Sequence, residues 1–320
     1  MILKSIFEVL SPGGQQGRLS ILIFHRVLSR QDPLFPGEQD VRRFDNVLSW
    51  VARWFQVVPL DLAASQLRDG TLPARCAAIT FDDGYADNAS NALPVLQRHG
   101  MTATFFVATS FLDGGRMWND SVIESLRCFQ GEVLNLDDKG LGSYQIESPI
   151  KRRAAIDALL GKIKYMEPVR RQESVRYIEN VVNRALPDDL MMSCEQVKLL
   201  RRSGMGIGAH TLSHPILARI SDAEAVREIS DSKTVLETLL QEPVSLFAYP
   251  NGKPGKDYLA KHALMVRDAG FAAAVSTAPG VSSVATDRFQ MPRFSPWDTR
   301  RLRYGLRMLS NLRTVEPQIA

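Results

Sequence analysis

Short apolar runs, each bounded by turn residues, recur along most of the chain. They are rich in β-branched and aromatic residues and almost continuously apolar, which is typical of strands covered on both faces of a parallel sheet. The predicted strands are residues 20–27, 55–60, 76–81, 102–108, 204–210, 245–250 and 272–277.

Helical periodicity lies between several of these strands. The predicted helices are residues 87–99, 195–203 and 222–240. Gly100 and Gly204 fit C-terminal caps, and Ser221 with Glu224 fits a capping box. Alternating strands and helices with short connections indicate right-handed βαβ units. We therefore predict an α/β fold, with a closed or partly closed parallel barrel as the leading architecture.

One domain is expected over residues 1–320, with its core at about 20–298. Residues from about 112 to 192 interrupt the strand–helix rhythm with a polar run and a Lys/Arg/Glu-rich helical pattern. Because structureless loops of this length are unusual in compact domains, we predict a largely helical insertion. It either covers the mouth of the active site or is a peripheral decoration.

Both termini show amphipathic patterns. Residues 299–313 combine arginines with leucines at helical spacing and predict a basic C-terminal helix. The N-terminal apolar face consists of Ile2, Leu3, Ile6, Phe7 and Leu10. Each face is expected to pack on the body of the protein, with peripheral membrane contact as the alternative.

Composition and charge narrow the function. The chain is 45% hydrophobic and 23% charged with a net charge of +4, and it has no basic run with interleaved aromatics, which argues against nucleic-acid binding. Its three cysteines form no CxxC pair and suit a reducing compartment, with Cys76 expected in the core. The N-terminus lacks a long apolar region, so we expect no signal peptide and a cytoplasmic protein, or one peripheral at the inner membrane.

Two motifs at predicted strand ends carry the chemistry. In TFDDGY, residues 80–85, the pair Asp82 and Asp83 follows an apolar strand. Asp-Gly alone is a turn signal, but ligands bind at the carboxyl ends of parallel strands. In HTLSH, His210 and His214 also follow a strand, and their close spacing favours a metal site over two structural histidines.

The remaining histidines and several aromatic and polar residues divide into surface residues and further site candidates. By contrast with the metal candidates, His99 and His262 lie in helical, charged surroundings and are expected on the surface. The further site candidates are His25, Tyr249, Pro250, Asn251, Arg293 and Trp297.

Together these motifs resemble the polysaccharide deacetylases of carbohydrate esterase family four, the NodB-homology domain. The resemblance spans about residues 20–298 and is most specific in TFDDG followed by HTLSH. It implies an α/β fold, a distorted, partly open parallel (β/α) barrel of the glycoside hydrolase/deacetylase type with a largely helical insertion. It also implies a metal-dependent hydrolase that removes acetyl groups from N-acetylated sugars of a polysaccharide, oligosaccharide or glycolipid.

The resemblance also implies roles. Asp83, His210 and His214 would hold one divalent metal ion, with Zn2+ expected and Co2+, Ni2+ or Fe2+ as alternatives, because two imidazoles and a carboxylate suit such ions. Asp82 would be the catalytic base, and the backbone N–H of Tyr85 would bind the oxyanion. Adjacent side chains on an extended backbone point in opposite directions, which would separate the two aspartates.

The chain departs from the common family pattern at two places. Ala248 and Asn251 replace the arginine and aromatic of the motif whose arginine orients the base, and no late histidine follows position 262. Arg293 is the substitute candidate for the arginine. His25 is the candidate general acid, as in the circularly permuted poly-N-acetylglucosamine deacetylases, where the first and last strands lie side by side. The residues expected at the substrate are Tyr85, Tyr249, Pro250, Asn251 and Trp297.

Two alternatives remain open on the sequence. The first is an amidase that uses the same site on a small non-sugar substrate. The second is an inactive carbohydrate-binding module, supported by the departures at positions 248 and 251 and opposed by the joint presence of base, acid and metal residues.

Overall fold

A parallel sheet curled into a half-barrel organises the fold of this computed structural model, which describes residues 2–314 and 317–320. The strands are β1 Ser20–Phe24, β2 Gln56–Val57, β3 Cys76–Phe81, β4 Thr104–Val107, β5 Val133–Asn135, β6 Ser143–Gln145, β7 Gly206–Ala209, β8 Leu246–Ala248 and β9 Ala273–Val275. The sheet order is β1-β3-β4-β7-β8-β9, with β2 also paired to β3, while β5 and β6 form a separate antiparallel hairpin. The predicted α/β barrel is confirmed.

Helices cover the sheet. They are α1 Ile2–Leu10, α2 Val41–Trp54, α3 Leu60–Arg68, α4 Leu93–Arg98, α5 Trp118–Cys128, α6 Pro149–Ile163, α7 Pro168–Val182, α8 Cys194–Arg202, α9 Asp222–Leu240, α10 Ala260–Asp268 and α11 Arg301–Asn311. The capping box of Ser221 and Glu224 begins α9 as predicted. The strand predicted over 55–60 is wrong beyond Val57, because Pro59 is the N-cap of α3. The helix predicted over 87–99 begins instead with a π-helical turn, Asn88–Ala92.

An extended segment after β9 spans the gap between the two edges of the sheet. We call residues 288–295 the closing segment. Its Met291 N–H donates to the carbonyl of Ala274 in β9 (2.9 Å), and its Phe294 N–H donates to the carbonyl of Ile21 in β1 (2.9 Å). The expected direct contact of first and last strands is therefore replaced by contact through this segment.

A cluster of buried phenylalanines lies beneath the carboxyl ends of the first strands. Phe81 at the end of β3 packs against Phe24, Phe44 and Phe105, with ring centroids 5.5, 5.6 and 4.9 Å away. Each ring is at most 5% exposed. Because Phe81 directly precedes Asp82, this packing fixes the point at which the TFDDGY motif leaves the sheet.

The residues predicted as an insertion form α5, the β5–β6 hairpin, α6 and α7. They enclose a hydrophobic core of their own, which includes Leu126, Leu134, Ile156, Leu159, Ile163 and Ile178. The segment is therefore a packed unit and not a loop.

The terminal helices pack together on the barrel. Phe7 of α1 is fully buried and Leu3 and Leu10 pack against the core, whereas Ile6 is exposed. The side chain of Ile2, also placed on this face by the sequence, lies outside the described residues. In the described part of the chain, the helices are all too short or too polar to cross a membrane.

Replacing Phe44 by Ala should lower the free energy of unfolding by about 3–5 kcal/mol, because it removes a ring that contacts both Phe24 and Phe81. Urea unfolding followed by fluorescence or circular dichroism measures the change. Leu302→Ala is the control, since Leu302 is 61% exposed and should cost no more than about 0.5 kcal/mol. Equal shifts in the two variants would contradict the proposed packing.

Candidate metal centre and catalytic site

The ends of β3 and β7 bring one aspartate and two histidines together. Oδ1 of Asp83 lies 3.3 Å from Nε2 of His214 and 3.5 Å from Nε2 of His210. One ligand atom of each residue lies within 4.8 Å of the other two. Among the described residues this is the one group of His, Cys, Asp or Glu side chains with the spacing of a metal site.

The protonation of His210 fits a metal ligand. Its Nδ1 lies 2.7 Å from the carbonyl oxygen of Ala248. A carbonyl only accepts hydrogen bonds, so Nδ1 carries a hydrogen and Nε2 is the ring nitrogen that faces Asp83. This backbone contact is the kind of outer partner that orients metal-binding histidines. The three residues therefore fit a divalent metal ion.

The backbone around both motifs turns through the left-handed region. Asp83 has φ +78°, Thr211 +65° and His214 +57°. Such values are uncommon outside glycine and cluster at functional sites. The extended backbone expected at Asp83 is therefore wrong, and a sharp turn separates its side chain from that of Asp82.

Glu228 of α9 supports the histidine loop. Its Oε2 accepts hydrogen bonds from the N–H groups of Leu212 (2.9 Å) and Ser213 (2.8 Å), and its Oε1 accepts one from the Ser213 hydroxyl (2.6 Å). Within the loop, Thr211 Oγ1 accepts a hydrogen bond from the N–H of His214 (3.1 Å). Sequence reasoning missed Glu228, since its spacing within α9 is that of an ordinary polar helix face.

Asp82 forms a buried, two-pronged ion pair with Arg293 of the closing segment. Both contacts between guanidinium nitrogens and carboxylate oxygens are 2.6 Å long. Arg293 is 1% exposed, and its Nε donates to the carbonyl of Ser276 (2.9 Å). Burial alone would raise the pKa of Asp82, but the charge and hydrogen bonds of Arg293, together with the neighbouring histidines, outweigh it and lower that pKa below its usual value. Asp82 is therefore a carboxylate held in one orientation.

The two histidines respond differently to burial. It lowers the pKa of His214 to about 4, against the opposing charge of Asp83, so this imidazole is neutral at neutral pH. Burial also disfavours the charged form of His210, but the carboxylates of Asp82 and Asp83 outweigh it and raise its pKa. The two carboxylates therefore favour an added positive charge in the cluster, which a proton or a metal ion would supply.

His25 follows β1 and lines the same pocket, which has a volume of about 340 Å³. The loop that carries it is tied to the turn after the Asp82–Asp83 motif. Asn88 Nδ2 donates to the His25 carbonyl (2.8 Å), and Asn91 Nδ2 donates to the Val27 carbonyl (2.8 Å). Asp87 Oδ1 accepts a hydrogen bond from the Val27 N–H (3.0 Å). The side chains of Asp87, Asn88 and Asn91 are placed by the π-helical turn and its N-cap. None of the three was identified from the sequence.

The other predicted site residues divide into two groups. Asn251, with φ +59°, lines the pocket. Tyr249 is fully buried and stacks on Tyr258 at 3.9 Å, and Pro250 is also buried. Trp297 is 65% exposed and lines a separate depression of the described surface. The structure therefore brings Asn251 to the pocket but not Tyr249, Pro250 or Trp297.

His262 is not a surface residue. It is fully buried, and its Nδ1 accepts a hydrogen bond from the N–H of Leu259 at the start of α10 (2.9 Å). Burial lowers its pKa to about 4. The charged sequence around it misled the prediction, because this histidine caps its own helix.

Side chains of the predicted insertion form a wall of the pocket. They come from the start of α5 and the end of α6 and are Met117, Trp118, Asn119, Leu160, Gly161 and Lys164. Of the two expectations for the insertion, the structure places it at the mouth of the site.

The side chain of Tyr85 is tied to α5. Its hydroxyl donates to Oδ1 of buried Asp120 (3.0 Å), and burial raises the pKa of Asp120 to about 7. The neighbouring backbone bonds join Ala86 N–H to the Leu190 carbonyl and Met192 N–H to the Gly84 carbonyl. In this antiparallel pairing the N–H of Tyr85 points away from the partner segment.

Known proteins share both the sequence pattern and the fold. A family model described as polysaccharide deacetylase matches residues 69–134 and 172–274, together more than half of the chain. YxkH of Bacillus subtilis, named as a candidate polysaccharide deacetylase, is 21% identical over 268 residues, which are 83% of this chain and 67% of YxkH.

Solved structures agree on the architecture. The Streptococcus pyogenes deacetylase PplD, in complex with acetate, superposes with a TM-score of 0.61 at 17% identity, over 93% of this chain and 99% of PplD. IcaB from Ammonifex degensii gives a TM-score of 0.57 at 18% identity, over 94% and 98% of the two chains. Identities this low show a shared fold.

The family model spans both TFDDGY and HTLSH, whose side chains meet in the pocket described above. The chain therefore belongs to the polysaccharide deacetylase family, hydrolases that act on carbon–nitrogen bonds other than peptide bonds.

Proposed function

We propose that this protein is a metal-dependent deacetylase that hydrolyses the acetamido group of an N-acetylated sugar in a polysaccharide, oligosaccharide or glycolipid. The observation that carries the proposal is that Asp82, paired with buried Arg293, lines the same pocket as the cluster of Asp83, His210 and His214. A divalent ion held by that cluster, most simply Zn2+, would supply Lewis acidity and lower the pKa of a water molecule.

The residues of the chain divide the remaining chemistry. Asp82, ionised and oriented by Arg293, accepts a proton from the attacking water, whose oxygen bonds to the acetyl carbon. The N–H of Tyr85 donates a hydrogen bond to the developing oxyanion. His25 donates a proton to the sugar nitrogen as the carbon–nitrogen bond breaks. The products are acetate and a free amine.

The shape and the family support this substrate class. The pocket combines apolar walls from Trp118 and Leu160 with polar groups from Asn119, Asn251 and Thr277, a mixture that suits a sugar ring. Acetate, the acid that this reaction would release, is bound in the PplD structure.

Removing one metal ligand should weaken metal binding and lower turnover together. His214→Ala is expected to bind Zn2+ at least about 100-fold more weakly, because loss of outer partners alone costs 10–100-fold. Elemental analysis and acetate release from N-acetylated sugars measure the two effects, and a chelator should inhibit wild type reversibly. His99→Ala is the matched control, since His99 lies beside Asp45 and outside the pocket. Full metal content in His214→Ala would refute the site.

Asp82 and Arg293 should behave as one unit. Asp82→Asn and Arg293→Gln are each expected to lower kcat/KM by about 100-fold or more, within the range for loss of a positioned base. The double variant should be less than about twofold worse than Asp82→Asn, because the arginine acts through the carboxylate it orients. Metal content should remain near wild type in all three. If the double variant lost kcat/KM by the product of the two single losses, Arg293 would not act by positioning Asp82.

The role of His25 predicts a dependence on the leaving group. His25→Ala should lower acetate release from an N-acetylated sugar by about 100- to 10,000-fold, because the departing amine needs a proton. Release from 4-nitrophenyl acetate should fall only a few-fold, since that leaving group departs as an anion. Arg30→Ala, in the same loop region, serves as the control. Equal losses on both substrates, with metal bound, would exclude His25 as the acid.

A further inference from the structure

A second hollow of about 300 Å³ adjoins the catalytic pocket. The two share His25, Asp83 and Asn119 as lining residues, so they form one continuous cleft. Its volume lies at the lower end of the range for ligand pockets. The proposed reaction does not use the far side of this hollow.

The hollow is lined by more acidic than basic groups. Beyond Asp83, its acids are Asp32, Glu38, Asp120 and Glu124, and its bases besides His25 are Arg26 and Arg127. Both arginines are already engaged in ion pairs. Arg127 is shared by Asp32 (2.6 Å) and Glu124 (3.1 Å), and Arg26 pairs with Asp87 (2.7 Å), which lies outside the lining. The hollow therefore has an excess of negative charge.

Asp120 supplies an independent sign of a missing partner. It is 4% exposed, and its Oδ1 accepts the hydrogen bond from Tyr85. Its Oδ2 is buried and has no hydrogen-bond partner among the described residues. Buried polar atoms are almost always paired, so this oxygen is suited to a donor from a ligand.

We propose that this hollow is a subsite for a sugar residue next to the acetylated one, and that Asp120 and its acidic surroundings select a free amine on that residue. An ammonium group donates hydrogen bonds and carries the charge that the hollow lacks. The burial that holds the pKa of Asp120 near 7 is offset when a cation binds, because a neighbouring positive charge favours the carboxylate.

This inference rests on the proposed function and extends it. The free amine is the product that the catalytic pocket generates. A chain with one sugar already deacetylated would then place that product in the hollow and present an acetylated neighbour to Asp82. The enzyme would prefer partly deacetylated saccharides to fully acetylated ones.

The test compares disaccharides of N-acetylglucosamine that carry two acetyl groups with both isomers that carry one. Wild type should show a kcat/KM about tenfold higher for one mono-acetylated isomer than for the diacetylated disaccharide. Asp120→Asn should reduce that ratio below about twofold, because the amide turns a donor toward the ammonium while its oxygen still accepts from Tyr85. Asp138→Asn, on the exposed turn of the insertion, is the matched control and should keep the ratio.

Direct binding separates this proposal from the proposed function. The fully deacetylated disaccharide should bind wild type in calorimetry and bind Asp120→Asn about tenfold more weakly, whether or not any substrate is turned over. Glu38→Gln should weaken binding by a smaller factor, and it offers a second variant on an exposed residue. The subsite would be overturned if wild type had the same kcat/KM for diacetylated and mono-acetylated disaccharides. It would also be overturned if Asp120→Asn lowered kcat/KM equally for both. Absence of acetate release from every saccharide would instead overturn the deacetylase proposal.

Discussion

The buried ion pair of Asp82 and Arg293 ties the catalytic site to the closure of the barrel. Removing a carboxylate and a guanidinium from water costs several kcal/mol for each ion, so such a pair persists only with close geometry and with its other donors satisfied. Here both conditions hold, because the two contacts are 2.6 Å long and Nε of Arg293 reaches the Ser276 carbonyl. The closing segment must therefore stay between β9 and β1. A change that moved it would leave two buried charges without partners.

The candidate metal site of Asp83, His210 and His214 depends on a different constraint, the turning of the backbone at strand ends. Asp83, Thr211 and His214 all have positive φ values, which β-carbon-bearing residues adopt at a cost of about 1–3 kcal/mol each. The surrounding contacts hold them there. Glu228 binds two N–H groups of the histidine loop, and Met192 N–H binds the carbonyl of Gly84 beside the aspartates. Contacts from α9 and from the segment before α8 thus hold the turns that carry the candidate ligands.

The sequence predicted the elements whose signal is local. Continuous apolar runs identified the strands because both faces of the sheet are covered, and TFDDGY and HTLSH stood out because polar groups follow such runs directly. Groups whose partners are remote in sequence were missed, such as Asp87 with Val27 and Glu228 with Ser213. Arg293 stood out as a candidate from the sequence, but its pairing with Asp82 was expected only from the family's motif. Trp297 was expected at the substrate because it follows Arg293 closely in sequence. It lies instead on the exposed surface just before α11.

The family model covers only some of the candidate site residues. The two aspartates and two histidines all fall inside the matched residues, whereas His25 and Arg293 lie outside the match on opposite sides of it. They meet at this site because the closing segment pairs with β1 through Phe294 and Ile21. His25 lines the pocket, and Arg293 binds Asp82, which also lines it. The wall that contains Leu160 and Lys164 belongs to residues 135–171, which the family model skips. The proposed metal ligands and the proposed base thus come from the shared part of the chain, while the proposed proton donor, the arginine that orients Asp82 and part of the pocket wall depend on segments outside it.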